Sequence, residues 1–362
     1  MILFILYEFV SNKHKGASGG NISNYFLIEN LRHHKKIGIM APNIPKDLIA
    51  ELEEKGVIVI SEELKFKTPL RRLKKRQWLK ATIESKLLNC PKTLAEIDIV
   101  VSSNGTCDLA KNLQSNDTKH YILCRAFEDF FSHNSFYPIK EKIKRLFVKI
   151  FDSKRISEAY RNADKIITNS AYMKGFIRGH YPKTQTDILY PPIDIPLKKF
   201  NPLPLIPRVG IINPSSRKGE KIFLALAKKF PTLTFVYFSQ NPNKYTLNNI
   251  EYAGWLSDRE KLFSRIDILV APSVWTEPFG RVSVEAVRSG IPALVSNVGG
   301  LPETVDNDFI VCNQSIDSWE AKLRWMLTNS SEVENAWNRS VLKSKLFEQE
   351  PHNKNALEIF SV

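Results

Sequence analysis

The sequence predicts an α/β protein built from two successive parallel-sheet units with helices on both faces of each sheet. Three observations carry this expectation. Short, mostly apolar runs of strand length, such as ILFILYEFV, KKIGIMAP, EIDIVVSSNG, RVGII and IDILVAPS, alternate with helical segments, the pattern of βαβ units with buried strands. The chain has 362 residues, enough for two separate cores. A proline-rich stretch from Pro191 to Pro207 reads as an extended linker and is the strongest domain boundary in the chain.

Composition sets the class. Hydrophobic residues make up 43% and charged residues 25%, which is ordinary for a soluble globular chain, and no apolar run reaches transmembrane length. The opening MILFILYEFV lacks a basic segment before it, carries Glu8, and has no small-residue cleavage site after it, so it reads as a first buried strand rather than a signal peptide. Cys90, Cys107, Cys124 and Cys312 have no metal-like spacing, and reduced thiols in a cytoplasmic protein are expected. The net charge of +14 is uneven: residues 1–195 hold 32 Lys/Arg and 21 Asp/Glu, residues 196–362 hold 20 and 17. The first half therefore faces an anionic partner, a membrane or an anionic acceptor. Nucleic acid is excluded as a partner, because no recognition motif accompanies the charge.

Taken in order, the first strand leads through NKHKGASGG to the helix NYFLIENLRHH. Gly16, Gly19 and Gly20 either let a phosphate or sugar approach a helix N-terminus or serve a tight turn. Strands at KKIGIMAP and GVIVISEE flank the helix DLIAELEEK. Two basic helices follow, near 71–80 (Arg71, Arg72, Lys74, Lys75, Arg76 and Lys80 around Leu73, Trp78 and Leu79) and over 139–151, where Ile139, Ile143, Leu146, Phe147, Ile150 and Phe151 form an apolar stripe. A solvated face is the ordinary reading of each. Together they make a peripheral contact with an anionic membrane an expected partner surface. The second half opens with the strand RVGII, the loop NPSSRKG and a helix, continues through strands at TLTFVYFS and IEYAGWLS, and ends in a helical tail from Asp317 whose last segment covers Asn353 to Phe360.

The stretch Ile266–Val305 is the chemical centre. Its strand IDILVAPS ends in the loop VWTEPFG, the helix RVSVEAVRSG follows, and a strand PALVSN leads to the loop GGLPE. Both loops follow strand carboxyl ends, the edge at which open α/β sheets bind ligands. Glu277 and Glu285 lie eight residues apart on the first loop and the helix and are expected to face one crevice. Arg217 and Lys218 stand just before the helix that begins near Gly219, where cations oppose the helix dipole. An anion such as a diphosphate between them and the helix removes the conflict. Arg281 shows the same oddity, and there plain solvation is the expected reason. Asp306-Asn307-Asp308 mimics a metal-binding D-x-D but reads as a polar turn.

TEPFGRVSVEA resembles the E-x7-E motif of retaining glycosyltransferases of the GT-B fold, in the large family 4 group. NPSSRKG is similar to that family's diphosphate-binding loop, ADKIITNSAYMKG and LYPPID to its segments before the linker, and GWLSDREKLFSRIDILVAPS and GGLPE flank the motif as in the family. The resemblance runs from about Ala163 to Glu303. It implies two Rossmann-like domains facing a central cleft: residues 1–188 binding the acceptor, a linker over 189–207, residues 208–345 binding the nucleotide sugar, and a crossover helix over 346–362 that returns to the first domain. By position it implies that Arg217 and Lys218 hold the donor diphosphate and that Glu277 contacts the hydroxyls of the transferred sugar. It further implies that Phe279 and Gly280 offer backbone amides, that Glu285 binds the ribose, and that Gly19 and Gly20 admit the donor phosphates or the acceptor. Where many members have an Arg or Gly ahead of the Arg-Lys pair, this chain has Ile211, Ile212 and Asn213, and Asn213 takes a polar contact. The family's first-domain His has two candidates, His120 and His133.

The expected function is therefore transfer of a sugar from a UDP or GDP sugar to a glycan or lipid-linked acceptor, with no bound cofactor and no metal, in cell-surface polysaccharide or glycolipid synthesis. A sugar-nucleotide epimerase on the same fold is the enzyme alternative, and a non-catalytic nucleotide- or membrane-binding subunit is the alternative of another class.

Overall fold

A computed structural model describes the chain except residues 12, 13, 15–17, 66–70, 89–93, 104, 116, 128, 129, 131–153, 243, 244 and 362 and the side chains of residues 71 and 72. The basic helix expected over 139–151, with Gly16, Cys90 and His133, lies outside the described residues. The chain divides into two compact units, Met1–Pro191 with His352–Val362, and Pro192–Pro351.

The first unit holds a seven-stranded sheet: β1 (Ile2–Ile5), β2 (Ile37–Met40), β3 (Ile58–Ile60), β4 (Ile99–Ser103), β5 (Lys119–Cys124), β6 (Lys165–Thr168) and β7 (Thr186–Ile188). Their order is β3-β2-β1-β4-β5-β6-β7, and every pairing is parallel. Every residue of β1 and β2 is buried, which is why these strands read as unbroken apolar runs rather than alternating ones. The opening residues are thus a central strand. The Gly19–Leu31 helix begins earlier than its apolar pattern suggests, because Ser18 caps it by accepting the Asn21 N–H at 3.2 Å. The final helix, Gln349–Phe360, also starts before the expected Asn353. Pro351 is tolerated in its first turn, where no intrahelical N–H bond is needed. From His352 onward this helix belongs to the first unit. Ala356, Ile359 and Phe360 enter the same core as Ile2, Phe4 and Tyr121, and the buried Lys165 ammonium donates to the Ile359 carbonyl at 2.7 Å.

The second unit holds a six-stranded sheet: β8 (Arg208–Ile212), β9 (Thr234–Phe238), β10 (Ile250–Tyr252), β11 (Ile268–Ala271), β12 (Ala293–Ser296) and β13 (Ile310–Val311). The order is β10-β9-β8-β11-β12-β13, again all parallel. The proline-rich stretch from Pro192 holds no helix or strand and is pinned to this unit: Lys198 N–H donates to the Arg288 carbonyl at 2.8 Å and Asn201 N–H to the Gly290 carbonyl at 2.9 Å. In both sheets the strand order reverses beside the first strand, between β1 and β4 and between β8 and β11. Such a switch point opens a crevice at the strand carboxyl ends, where doubly wound sheets bind ligands. No helix among the described residues is long and apolar enough to cross a membrane.

The basic helix near 71–80 exists as Arg71–Ile83, but two of its cations are used internally. Lys75 is buried and donates to Glu8 at 2.8 Å and to the Tyr7 carbonyl at 3.0 Å. Arg76 forms a two-pronged pair with Asp108. Among its described side chains, Lys74 and Lys80 are exposed.

Candidate functional site

Two loops meet at the switch point of the second sheet. The first leaves β8 at Asn213, whose left-handed φ of 51° suits an asparagine and turns the chain out of the sheet; its N–H donates to the Phe238 carbonyl at 2.7 Å. Ser215 accepts the Lys218 N–H at 3.3 Å, and Gly219 then caps the Glu220–Lys229 helix with φ 78°. A side chain at Gly219 is ruled out by contact: its Cβ would lie 1.9 Å from the Pro272 carbonyl oxygen. The second loop leaves β11 at Pro272. Val274 N–H donates to the Arg217 carbonyl at 2.9 Å, tying the loops together.

This close approach brings Arg217, Lys218 and Glu277 together. The Lys218 ammonium pairs with Glu277 Oε1, which also accepts from the Ser273 hydroxyl at 2.8 Å. Glu277 is 9% exposed, so the ammonium and the hydroxyl keep its charge compensated away from bulk water. The GGLPE loop fixes Glu277 from behind. Gly300 N–H donates to the Glu277 carbonyl at 2.8 Å, and a Cβ at Gly299 would lie 2.0 Å from that same oxygen. Trp275, which the sequence reading did not single out, lies beneath the cations: the Arg217 guanidinium and the Lys218 ammonium sit 5.4 and 5.8 Å from its ring centre. Phe279 is buried and packs edge-on against Phe347 at 5.0 Å, and Gly280 caps the Arg281–Arg288 helix in a left-handed conformation.

Glu285 lies in that helix, 4% exposed, between two arginines. Arg259 Nε is 3.3 Å from one carboxylate oxygen and Arg281 Nε 3.6 Å from the other. Glu285 Oε2 and Arg259 Nη1 are buried without hydrogen-bond partners among the described residues. Arg281 is not the solvated cation that the sequence suggested. Its side chain is 18% exposed and donates to the Pro192 carbonyl at 3.0 Å, and burial pulls its pKa below the ordinary value against the opposing effect of Glu285. Arg259 was missed, although it opens the Arg259–Phe263 helix and so carries the same dipole signal as Arg217.

In the first unit, Gly19 and Gly20 form the first turn of a helix rather than a loop. Gly20 accepts from Arg125 Nη1 at 3.2 Å. It has no left-handed φ, and a Cβ there would meet only Ser18 Oγ at 3.8 Å, so no tight turn requires this glycine. His120 is not at a ligand edge. It is fully buried four residues before the carboxyl end of β5, 2.8 Å from Ser102 Oγ, and burial pushes its pKa down to about 4. Since the unfolded ring titrates near its usual 6.5, the unfolded chain binds the extra proton between these values. Stability is therefore expected to fall as pH drops from about 6.5 to about 4, by about 3 kcal/mol from this group. Urea unfolding across that range, with His120→Gln giving a shallower pH slope, checks it.

Asp306-Asn307-Asp308 is the turn its composition suggests. Asp306 caps a short 3-10 turn, and Arg339 bridges Asp306 and Asp308 at 3.0 and 2.6 Å. Among the described residues no group of three or more His, Cys, Asp or Glu side chains is gathered as metal ligands.

Two parallel-sheet units of this kind define a class. Over 99% of both chains, the protein superposes on HepE of Anabaena in complex with UDP and glucose (TM-score 0.67, 18% identity). It also superposes on sucrose-phosphate synthase of Thermosynechococcus elongatus over 99% of this chain and 98% of that one (TM-score 0.73, 15% identity). The fold is GT-B. Residues 239–342 match the family model of glycosyl transferases group 1. Among curated sequences it is 27% identical over 172 residues to an uncharacterized 41.2 kDa protein in the cps region of Klebsiella pneumoniae. That match covers 41% of this chain and less than half, 46%, of the relative.

Proposed function

We propose that this protein is a retaining glycosyltransferase that moves a sugar from a nucleotide-diphosphate sugar to a glycan or lipid-linked acceptor in cell-surface polysaccharide synthesis. The observation that carries this reading is the convergence of Arg217, Lys218 and Glu277 at the switch point of the second sheet. Breaking the sugar–phosphate bond develops negative charge on the leaving diphosphate. Arg217, Lys218 and the start of the Glu220–Lys229 helix stabilise that charge as it forms, so the protein's own cations take the part a divalent ion plays elsewhere. Glu277 receives the sugar hydroxyls, with the backbone amides of Phe279 and Gly280 beside it, and Glu285 takes the ribose hydroxyls. Asn213 adds a polar contact, and the bare backbone of Gly19 and Gly20 admits phosphate or acceptor. Glu277 is already engaged by an ammonium and a hydroxyl, which suits a hydroxyl acceptor better than an attacking nucleophile. Transfer then proceeds on the front face, with the donor phosphate assisting deprotonation, and a trapped sugar adduct on Glu277 would refute it.

The cps-region relative supports polysaccharide synthesis, and the solved neighbour with UDP and glucose supports UDP as the first donor to test. Contact with an anionic membrane would use the basic Arg71–Ile83 helix, on which Lys74 and Lys80 are the exposed cations among the described side chains while Lys75 and Arg76 are held inside the unit. The direct experiment is thermal stabilisation by a panel of UDP-, GDP- and dTDP-sugars. One of them is expected to raise the melting temperature by several degrees, about 3 kcal/mol of stabilisation at hundredfold saturation. A flat response to all of them removes the reading, and an altered sugar nucleotide formed without acceptor favours the epimerase.

A further inference from the structure

We infer that Trp275 is a positioning residue for the donor diphosphate, an inference that rests on the function proposed above. Two features of this side chain are not explained by packing. Its ring lies under both cations of the site, Arg217 at 5.4 Å and Lys218 at 5.8 Å from the centroid. Two like charges gathered on one small area repel each other, and the electron-rich indole face offsets that repulsion from below. The Val274 N–H bond to the Arg217 carbonyl locks the loop bearing the ring to the loop bearing the cations, so the arrangement belongs to the resting fold. The second feature is the indole N–H. Nε1 is buried and has no hydrogen-bond partner among the described residues, although buried indole N–H groups ordinarily find one. Within one residue of Val274 and two of Glu277, it needs an acceptor that the described residues do not supply. A phosphate oxygen drawn in by Arg217 and Lys218 is such an acceptor, and an N–H bond to an anion is among the stronger neutral-donor bonds.

Trp275 thus has two separable actions: the ring face holds the cations side by side, and the N–H donates to the diphosphate. Trp275→Phe keeps a face and deletes the donor, whereas Trp275→Leu deletes both. The full chain is titrated by calorimetry with UDP, GDP and inorganic pyrophosphate, and with uridine and guanosine as probes without phosphate. For the diphosphate that binds, affinity is expected to fall about 10-fold in Trp275→Phe and about 100-fold in Trp275→Leu, with nucleoside affinity unchanged. In transfer assays the donor KM rises while kcat changes less. If the wild type binds UDP or GDP and Trp275→Phe binds it equally well, Trp275 loses this role and the donor site stands. If nucleoside and diphosphate affinities fall together, the indole only supports packing and the inference is overturned. If the wild type binds none of the three diphosphates, the donor reading falls as well. Trp275→Phe alone decides the N–H donation should Trp275→Leu fail to fold.

Discussion

Lys218→Ala is expected to lower kcat/KM for sugar transfer about 10²–10³-fold, the usual loss when one preorganised donor to a developing anion is removed. Most of the loss belongs in kcat. The ammonium meets a phosphate whose charge grows as the sugar departs, so its interaction is stronger in the transition state than in the bound donor. The resting structure adds a second effect. Lys218 pairs with Glu277, whose other side-chain hydrogen bond comes from the Ser273 hydroxyl. Removing the ammonium leaves a largely buried carboxylate with a neutral partner, so sugar positioning suffers with leaving-group stabilisation. Lys218→Arg restores the charge but replaces a point donor by a planar fork, and partial recovery is expected. Initial rates with the donor found in the nucleotide-sugar panel, read beside the melting temperature, separate chemistry from folding. A kcat unchanged in Lys218→Ala sinks the assignment.

Gly219→Ala is expected to cost about 3–5 kcal/mol of stability, from left-handed strain together with overpacking. The residue has φ 78°, and its added Cβ would sit 1.9 Å from the Pro272 carbonyl oxygen. That oxygen is backbone, so a rotamer change cannot relieve the clash. Relief requires the β8 and β11 loops to separate, which parts Arg217 and Lys218 from Trp275 and Glu277. Gly56→Ala is the internal control. Gly56 also has φ 78°, but nothing lies within 4 Å of its added Cβ, so only the strain of about 1–2 kcal/mol is expected there. Urea unfolding of the two variants tests the difference, and equal losses would show that the loop contact is not what fixes the site.

Much of the fold was legible because parallel strands are buried on both faces, and burial writes itself as apolar runs. β1, β2, β8, β11 and β12 all fall inside runs that the sequence marks. Edge strands were less distinct: β3 and β10 are short and partly exposed. Helix starts were displaced where a cap or a first-turn proline, rather than the apolar stripe, set the boundary, as at Ser18 and Pro351.

The site was legible in its charges and not in its supports. Arg217 and Lys218 stood out because cations before a helix oppose its dipole, a local rule that needs no partner to be known. The same rule applied to Arg259 and was not used, and at Arg281 it was answered wrongly. A dipole anomaly shows that a cation needs a reason to be there, but whether the reason is water, a ligand or an internal carboxylate depends on the packing around it. For Arg281 the reason is Glu285, one helical turn away.

The sequence by itself determined two alternating α/β units, the boundary stretch, and the loops that follow β8 and β11. These follow from burial, backbone stiffness and dipoles, which act within a few residues. Only the tertiary structure decided that Glu277 is gripped by Lys218 and Ser273, that Glu285 lies between two arginines, and that Trp275 lies under both cations. Those contacts join residues 59 apart in sequence, as in the Lys218–Glu277 pair, through glycines that let two backbones touch. Their geometry is set by sheet order and close packing, and neither is written in any one segment of the chain.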